Sequence, residues 1–507
     1  MLEILGLLGD GILVSLQPLN LALIIVGVAL GLFIGAMPGL GSVNGVAILL
    51  PITFLVPPGS AIIFLAAIYY GAMYGGAISS ITLGIPGAST AVATTFDGRP
   101  LAMQGRARLA LVVAAIASFV GGSVANVLFT GFAPLLASVA LSFGPPEIFA
   151  LMLLAFATFV GLGGDDIPKT VFSICIGLVL ASVGFDEISG EPRLIFGGIT
   201  GFLHGINFLV LAIGVYGIGE MLWTIDSTRG KITSTEARIS VKGLVEDAGE
   251  GARRGWKGTA IGSFLGFFVG ILPAAGATPG SLMSYGVAKL VSRNPEEFGR
   301  GHPGGVAAPE AANNSASTGA MLPMLTLGIP GSPTTAILLG GMVIWGLTPG
   351  PRLFVDQPEF VWGLIGSFYV SNFFALIVNL SFIPLFIAML RMPFTILASM
   401  IFVLSVVGGY AATNDMHDVR LMLVFGIAAF LLRKLDYPLA PAVLAIVLGP
   451  IAEPTLRQSL LLSSGDPSIF FTRPIAGPIT VIAIVLILMP LGKLIWTRVR
   501  GGGSGAT

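Results

Sequence analysis

Two identical short segments lie where this sequence is best suited to bind a small charged molecule. Thr82–Gly87 and Thr326–Gly331 both have the sequence TLGIPG, and each interrupts a long apolar run. Glycine and proline at such a point predict that one helix ends and another begins. The first N–H groups of a helix lack intrahelical partners and carry partial positive charge, so they can bind an anion without a basic side chain.

Hydroxyl groups follow both segments. After the second segment, Ser332 and Pro333 predict a helix N-cap with proline at the first helical position, where its missing N–H costs nothing. Ser89 and Thr90 take the corresponding places after the first segment. Both segments therefore predict an anion site made of helix N-termini and hydroxyls, and carbonyls freed at the breaks could bind a coupling cation.

A second pair of breaks also recurs along the chain. Its members share glycine and proline at one constant spacing. The matched residues are Gly31, Gly35, Pro38 and Gly41, and Gly266, Gly270, Pro273 and Gly276. Two motifs that recur in the same order predict an internal duplication, and such paired interrupted segments indicate a midplane substrate site in a secondary transporter.

The breaks lie in stretches that are nearly free of charge. No Asp, Glu, Lys, Arg or His occurs between residues 11 and 96, and Glu310 is the only one between Gly304 and Pro351. An anion would have to be held by backbone N–H, hydroxyl or amide groups. The predicted substrate-binding residues are Ser42, Asn44, Gly87, Ser89, Thr90, Thr278, Asn313, Asn314, Ser315, Gly331, Ser332, Thr334 and Thr335. The residues that form the breaks are Pro38, Gly39, Gly41, Gly84, Pro86, Pro273, Gly276, Gly328 and Pro330. No catalytic residue and no metal site is predicted.

Each of these residues also has a structural interpretation. Glycine at every fourth position, as at Gly27, Gly31 and Gly35, is typical of close helix packing. Serine and threonine in membrane helices commonly bond to the preceding turn. For Glu310 two interpretations stay open, a surface cap and a functional acid near the second break.

The composition determines the class of fold that positions these residues. Of 507 residues, 55% are hydrophobic and 10% are charged, with a mean hydropathy of +0.95, which excludes an ordinary soluble domain. The net charge of zero gives no bias toward nucleic acid, and a single cysteine excludes an internal disulfide. We expect an all-α integral membrane protein with roughly 12 transmembrane helices and broken, re-entrant hairpins.

One hydrophilic stretch divides the membrane part into two halves. We expect a first repeat at 1–225, a cytoplasmic linker at 226–257, a second repeat at 258–475, and an extra helix with a glycine-rich tail at 476–507. Basic residues outnumber acidic ones in the linker, whereas no Lys or Arg precedes Arg99, which predicts an outer N-terminus. The unequal charge of the matching loops predicts that the two repeats have inverted topology.

These residues resemble a known family. The run from Gly31 to Gly41, both TLGIPG segments and the stretch from Pro309 to Ser315 are similar to the large membrane subunit of the tripartite tricarboxylate transporters. The similarity extends over nearly the whole chain up to Arg500. The resemblance implies a secondary transporter in the bacterial inner membrane, driven by a sodium or proton gradient, without another cofactor. It also implies a small four-helix membrane subunit, a periplasmic solute-binding protein and a small carboxylate substrate.

Three other classes of protein remain as alternatives. A membrane enzyme would need acids, histidines or cysteines clustered at membrane depth, and the apolar runs contain almost none. Paired broken helices fit a transporter that works by alternating access better than they fit an open channel. An ATP-driven permease would need a separate ATPase, because the chain lacks a phosphate-binding P-loop.

Overall fold

The long apolar runs fold into α-helices, because a helix satisfies all of its backbone hydrogen bonds internally. The structure is a computed structural model that describes residues 2–37, 40–162, 166–186, 189–196, 200–203, 205–227, 241–273, 275–389 and 394–501. The helices up to residue 227 are α1 (Leu2–Ser15), α2 (Pro18–Ala36), α3 (Gly41–Leu49), α4 (Pro58–Thr82), α5 (Val92–Met103), α6 (Ala107–Ala140), α7 (Pro145–Leu162), α8 (Ile167–Ala181), α9 (Phe208–Ala212) and α10 (Glu220–Ser227).

The second part of the chain is also helical. Its helices are α11 (Val241–Ile271), α12 (Ala277–Leu290), α13 (Pro303–Leu327), α14 (Pro333–Ile344), α15 (Leu353–Asp356), α16 (Pro358–Met389), α17 (Phe394–Thr413), α18 (Met416–Lys434), α19 (Leu439–Leu462), α20 (Ile469–Thr472) and α21 (Ala476–Gly501). Irregular turns are the 3₁₀ helices Leu50–Leu55, Ser89–Ala91, Thr200–Phe202 and Pro295–Glu297, and the π-helix Ile213–Gly219. Two short antiparallel strands, β1 (Gly184–Phe185) and β2 (Pro192–Arg193), pair Gly184 with Arg193.

The predicted all-α membrane fold is confirmed at the level of fold class. Within the described residues, five helices are both long enough and apolar enough to cross a bilayer: Pro18–Ala36, Pro58–Thr82, Ala107–Ala140, Pro358–Phe382 and Leu439–Leu462. Shorter apolar helices occur at Gly41–Leu55, Pro145–Val160, Ile167–Ala181, Pro333–Ile344, Ala398–Val407 and Ala476–Met489. The expected total of about a dozen spans stays a prediction.

The chain forms two packing units. The larger unit comprises Met1–Ala140, Leu209–Ile271 and Gly276–Phe430, and so combines helices from both predicted repeats. The smaller unit comprises Leu141–Phe208, Leu272–Ala275 and Leu431–Thr507. In the smaller unit α7 packs against α19 and α21, and α8 packs against α19.

Two helices, α4 and α13, form the centre of the larger unit. Every residue from Ala61 to Thr82 and from Pro303 to Thr326 is buried. A β-carbon on Gly35 of α2 would lie 2.2 Å from the Ala72 carbonyl oxygen of α4. The glycines of these helices therefore pack backbone against backbone, and the structural interpretation of their spacing is confirmed.

The equivalent helices of the second half pack in the same way. A β-carbon on Gly270 of α11 would lie 2.3 Å from the Ala316 carbonyl oxygen of α13. Helix α11 begins at Val241, so the second part of the predicted linker is the start of this helix. Residues 226 and 227 of the predicted linker end α10, and residues 228–240 lie outside the described residues.

Candidate functional site

Glycines with positive φ mark the breaks of the larger unit. Gly41 and Gly276, at the starts of α3 and α12, have φ of +62° and +67°. Gly84 and Gly328, at the ends of α4 and α13, have φ of +71° and +72°. A side chain is strained in this region of backbone space, so glycine allows the chain to end one helix and begin another. The predicted break residues Pro38 and Gly39 lie outside the described residues.

The predicted cap of α14 is confirmed. The Ser332 hydroxyl accepts from the Thr335 N–H at 3.2 Å, the Thr335 hydroxyl accepts from the Ser332 N–H at 2.8 Å, and Pro333 occupies the first turn. After the first break the structure differs, because Ser89 does not cap a helix. The residue that matches Ser332 is Ala88, which has no hydroxyl, and a 3₁₀ turn from Ser89 leads into α5.

Two hydroxyl pairs connect the breaks of one half with those of the other. Ser42, at the start of α3, bonds to Thr334, at the start of α14, with 2.9 Å between the oxygens. Ser89, in the turn before α5, bonds to Thr278, at the start of α12, at 3.0 Å. In each pair, a residue that follows a TLGIPG break in one half contacts a residue that follows the glycine–proline break of the opposite half.

Contacts within each half complete a ring of four chain segments. In the first half a β-carbon on Gly41 would lie 3.1 Å from the Ala88 β-carbon. In the second half the Gly276 N–H donates to the Gly331 carbonyl at 3.0 Å. The starts of α3, α12 and α14 and the turn before α5 therefore meet at one place, which we call the four-start site.

The four-start site has an electrostatic preference for anions. Each helix N-terminus carries roughly +0.5 elementary charge, so the three helix starts amount to at most about one and a half positive charges, to which the N–H groups of the 3₁₀ turn add. Adjacent positive ends repel one another, and an anion between them would remove that repulsion. Ser42 and Thr334 are only 5% and 2% exposed, whereas Ser89 is exposed, so one hydroxyl pair is enclosed and the other is accessible.

Tyr69 is a residue of this site that sequence reasoning missed. Its side chain comes from α4 and is 2% exposed, and its hydroxyl lies 3.3 Å from the Ser332 hydroxyl. The sequence contains a signal for this residue, because Tyr69, Tyr70 and Tyr74 carry phenolic hydroxyls in an uncharged and otherwise apolar stretch. Such a hydroxyl needs a polar partner when it is buried.

The predicted amide residues lie elsewhere, along the middle of α13. Asn313 donates to the Glu310 carboxylate at 3.3 Å, and Asn314 donates to the Asn313 side-chain oxygen at 2.6 Å. The Ser315 hydroxyl donates to the Ser263 carbonyl of α11. None of these three hydrogen bonds reaches a residue of the four-start site, although the chain after Gly328 folds back along α13, where the Gly331 N–H donates to the Ala320 carbonyl about two turns from Asn313.

The other predicted residues fall into two groups. Asn44 is buried in α3, and Thr90 is half-buried in the turn before α5. Gly87 and Gly331 do not have positive φ. The side of each glycine on which a β-carbon would stand faces other parts of the protein. A β-carbon would lie 2.0 Å from the Gly35 carbonyl oxygen at Gly87 and 2.7 Å from the Ala320 α-carbon at Gly331. The expectation of close approach is correct, but the neighbour is the chain's own backbone.

Glu310 is not a surface cap. Its residue is 0% exposed, and it accepts hydrogen bonds from Thr94 of α5 at 2.5 Å and from Ser118 of α6 at 3.2 Å. One of the two open interpretations is therefore wrong, because a surface cap must face solvent. The other, a functional acid, stays open at this point.

Asp97 forms a second buried carboxylate site that the sequence did not indicate. It is 0% exposed and accepts from the N–H groups of Gly299, Gly301 and His302, which lie just before α13, at 2.7–3.0 Å. The Tyr285 hydroxyl donates to it at 3.0 Å. Asp97 thus neutralises the positive N-terminal end of α13 and ties α5 to it.

A basic side chain also lies beside the first break. Arg99 donates to the Thr82 carbonyl at the end of α4, and its side chain lies over Gly84. A cation at a helix C-terminus is favourable for the helix dipole. We therefore interpret the contact of Arg99 as structural, because it accounts for the position of this side chain without a bound ligand.

Comparison with known proteins agrees with this architecture. The family model described as tripartite tricarboxylate transporter TctA family matches residues 21–444. A protein of Agrobacterium vitis, described as an uncharacterized 52.8 kDa protein in the TAR-I ttuC′ 3′ region, is 38% identical over 491 residues, covering 97% of each chain. A second protein of that organism, described as uncharacterized in the TAR-II ttuC′ 3′ region, is 38% identical over 226 residues, covering 45% of this chain and 93% of its own. No solved structure matches the chain. The chain therefore belongs to the tripartite tricarboxylate transporter TctA family and is a multi-pass membrane subunit of a transporter that works with partner subunits.

Proposed function

We propose that this chain is the large permease subunit of a cation-gradient-driven secondary transporter that takes up tricarboxylates or related small carboxylates. The observation that supports it best is the four-start site, where Ser42 meets Thr334 and Ser89 meets Thr278. Such a site can bind negative charge through helix N-termini and hydroxyls, without a basic side chain. The family assignment supports the same class of substrate.

The two halves would act as inverted repeats. The proposal is supported by the matching φ of Gly84 and Gly328. It is also supported by the two hydroxyl pairs, each of which joins one kind of break in one half to the other kind in the opposite half. In transporters built from inverted repeats, the substrate site lies at the repeat interface, near the bilayer midplane. Rocking one repeat against the other would then expose the four-start site to each side in turn.

The proposed partners are a small four-helix membrane subunit and a periplasmic solute-binding protein, with the whole system in the bacterial inner membrane. The binding protein would deliver the carboxylate to the outer face. The chain itself would be no enzyme and would need no cofactor besides the coupling cation, sodium or proton.

Uptake of radiolabelled citrate in cells that express all three subunits tests this function. We expect saturable uptake that competing di- and tricarboxylates inhibit. Uptake should stop when an ionophore collapses the ion gradient at constant ATP, and it should fall strongly without the binding protein. Uptake that depends on ATP alone, or that does not saturate, would contradict the proposal in favour of an ATP-driven permease or a channel.

A further inference from the structure

Glu310 is a fully buried carboxylate in an otherwise uncharged stretch of α13. It lies about two turns into α13 and is the only Asp, Glu, Lys, Arg or His between Gly304 and Pro351. Among the ion pairs of the described ranges, none involves this carboxylate. A buried carboxylate without a counter-ion is costly and is rarely present in a membrane protein without a function.

Three neutral groups surround its carboxylate. The Thr94 hydroxyl lies 2.5 Å from Oε1, and the Ser118 hydroxyl and the Asn313 amide nitrogen lie 3.2 Å and 3.3 Å from Oε2. A hydroxyl can donate to a carboxylate or, after rotation, accept from a carboxylic acid. This site can therefore accommodate both the charged and the protonated form, and the direction of the Thr94 hydrogen bond reverses when Oε1 carries the proton.

The titratable groups on the surrounding helices leave Glu310 without a charged partner. On α5 the Asp97 carboxylate is bound by backbone N–H groups before α13, and on α12 the Tyr285 hydroxyl donates to Asp97. On α4 the Tyr74 hydroxyl donates to Asn372 of α16 at 2.6 Å. Neither α11 after Lys257 nor α6 after Arg108 contains an acidic, basic or histidine residue.

One contact of this site, the Asn313 amide, favours a proton over a sodium ion. Hard metal cations bind to oxygen ligands, whereas Asn313 directs its amide nitrogen toward Glu310. That orientation is fixed because the Asn313 side-chain oxygen accepts from Asn314 at 2.6 Å. A proton needs only one carboxylate oxygen and one acceptor, which Thr94 supplies.

Thr94 connects this carboxylate to the candidate substrate site. It lies in the first turn of α5, directly after the turn that bears Ser89, while Glu310 belongs to the helix that leads to the second TLGIPG break. The contact thus joins the two halves. A change in the charge of Glu310 alters its hydrogen bond to Thr94, which lies five residues after Ser89 in the chain.

We propose, on the basis of the proposed transport function, that Glu310 carries the coupling proton and that Thr94 transmits its protonation to the four-start site. On the outer side a hydronium ion gives its proton to the Glu310 carboxylate and leaves water. On the cytoplasmic side the carboxylic acid returns that proton to water. One proton is moved in each cycle.

The test compares Glu310→Gln and Glu310→Asp with the wild type, reconstituted in vesicles with the partner subunits. The membrane potential is clamped at zero, and citrate is the probe. With one proton per substrate, an imposed gradient of one pH unit supports about a tenfold accumulation in the wild type. We expect Glu310→Gln to lose this accumulation and its pH dependence but to keep citrate exchange across the vesicle membrane. Glu310→Asp should retain part of both activities.

Thr94→Ala and Thr95→Ala form a matched pair of neighbouring threonines. The Thr95 hydroxyl donates only to the Val92 carbonyl of its own turn, so Thr95→Ala should leave coupling unchanged while Thr94→Ala weakens it. If Glu310→Gln does not fold, the pH profiles of Glu310→Asp and Thr94→Ala decide in its place, and profiles identical to the wild type would overturn the proposal.

Two results would overturn the role of Glu310. One is wild-type accumulation by Glu310→Gln under the imposed pH gradient. The other is loss of exchange together with accumulation in folded protein, which indicates a structural role. A wild type that responds to a sodium gradient but not to a pH gradient also excludes the proton site, while a wild type without any gradient-driven uptake refutes the proposed transport function itself.

Discussion

The hydroxyl pairs of the four-start site should differ in what their loss costs. Ser42→Ala leaves the Thr334 hydroxyl, only 2% exposed, without its 2.9 Å partner. Losing a hydrogen bond costs about 0.5–1.5 kcal/mol net, and about 1–3 kcal/mol when the remaining group stays buried and unpaired. Ser89→Ala instead removes the partner of Thr278, which is half-buried in the accessible pair, so water can replace the lost hydrogen bond. We therefore expect a measurable loss of unfolding free energy at Ser42 and almost none at Ser89.

Substrate affinity should respond at both pairs. If these hydroxyls bind the carboxylate, each single alanine substitution should raise the KM for uptake roughly two- to tenfold, since about 1.4 kcal/mol corresponds to a factor of ten. Thr334→Ala and the double variant with Ser42→Ala complete a cycle. The double variant should lose less than the sum of the single variants, because the two hydroxyls are hydrogen-bonded to each other.

The assay is citrate uptake in cells with equal amounts of folded protein, and Thr326→Ala is the matched control. The Thr326 hydroxyl is buried and donates to the Leu322 carbonyl of its own helix at 2.7 Å. Its loss should leave the KM unchanged. A normal KM in all well-expressed pair variants, or an equal effect of Thr326→Ala, would refute the reasoning.

Three further predictions concern packing, capping and topology. Gly270→Ala places a β-carbon 2.3 Å from an α13 carbonyl oxygen and should lower the free energy of unfolding, measured by thermal denaturation, by about 1–3 kcal/mol. At the control position Gly286 a β-carbon meets no atom within 4 Å, so Gly286→Ala should leave that free energy unchanged or raise it by up to about 1 kcal/mol. Asp97→Asn replaces a carboxylate that accepts three backbone N–H groups and should cost about 2–4 kcal/mol; an unchanged Tm would contradict this. In a cysteine-free background, an impermeant thiol reagent on intact cells should label Glu3→Cys but not a cysteine within 228–240, and the reverse pattern would overturn the predicted topology.

The sequence identified the breaks because glycine and proline report backbone geometry directly. Gly84 and Gly328 were predicted as breaks from their neighbours alone, and the cap at Ser332 followed from its position before Pro333. Local chemistry determines these features. The membrane class followed equally directly from composition, since a chain this apolar cannot remain folded in water.

Contacts between distant segments could not be predicted from one sequence. Nothing near Ser42 indicates that its partner is Thr334, and nothing near Ser89 indicates that its partner is Thr278. No side-chain cap forms after the first break, because Ala88 stands at the position that Ser332 has in the other half. The burial of Glu310 was also hidden, because a lone acid in an apolar helix has the same local sequence on a surface and in a core.

Protection of the four-start site by substrate tests the central claim most directly. In a Cys175→Ala background, which removes the exposed native thiol, Ser89→Cys is treated with a permeant thiol reagent with and without the carboxylate that the wild type transports. Lys289→Cys, at the exposed far end of α12, is the control. Saturating substrate should slow the labelling of Ser89→Cys severalfold and leave Lys289→Cys unchanged. Equal labelling rates of Ser89→Cys with and without substrate, in a variant that still transports, would contradict a substrate site at the four helix starts.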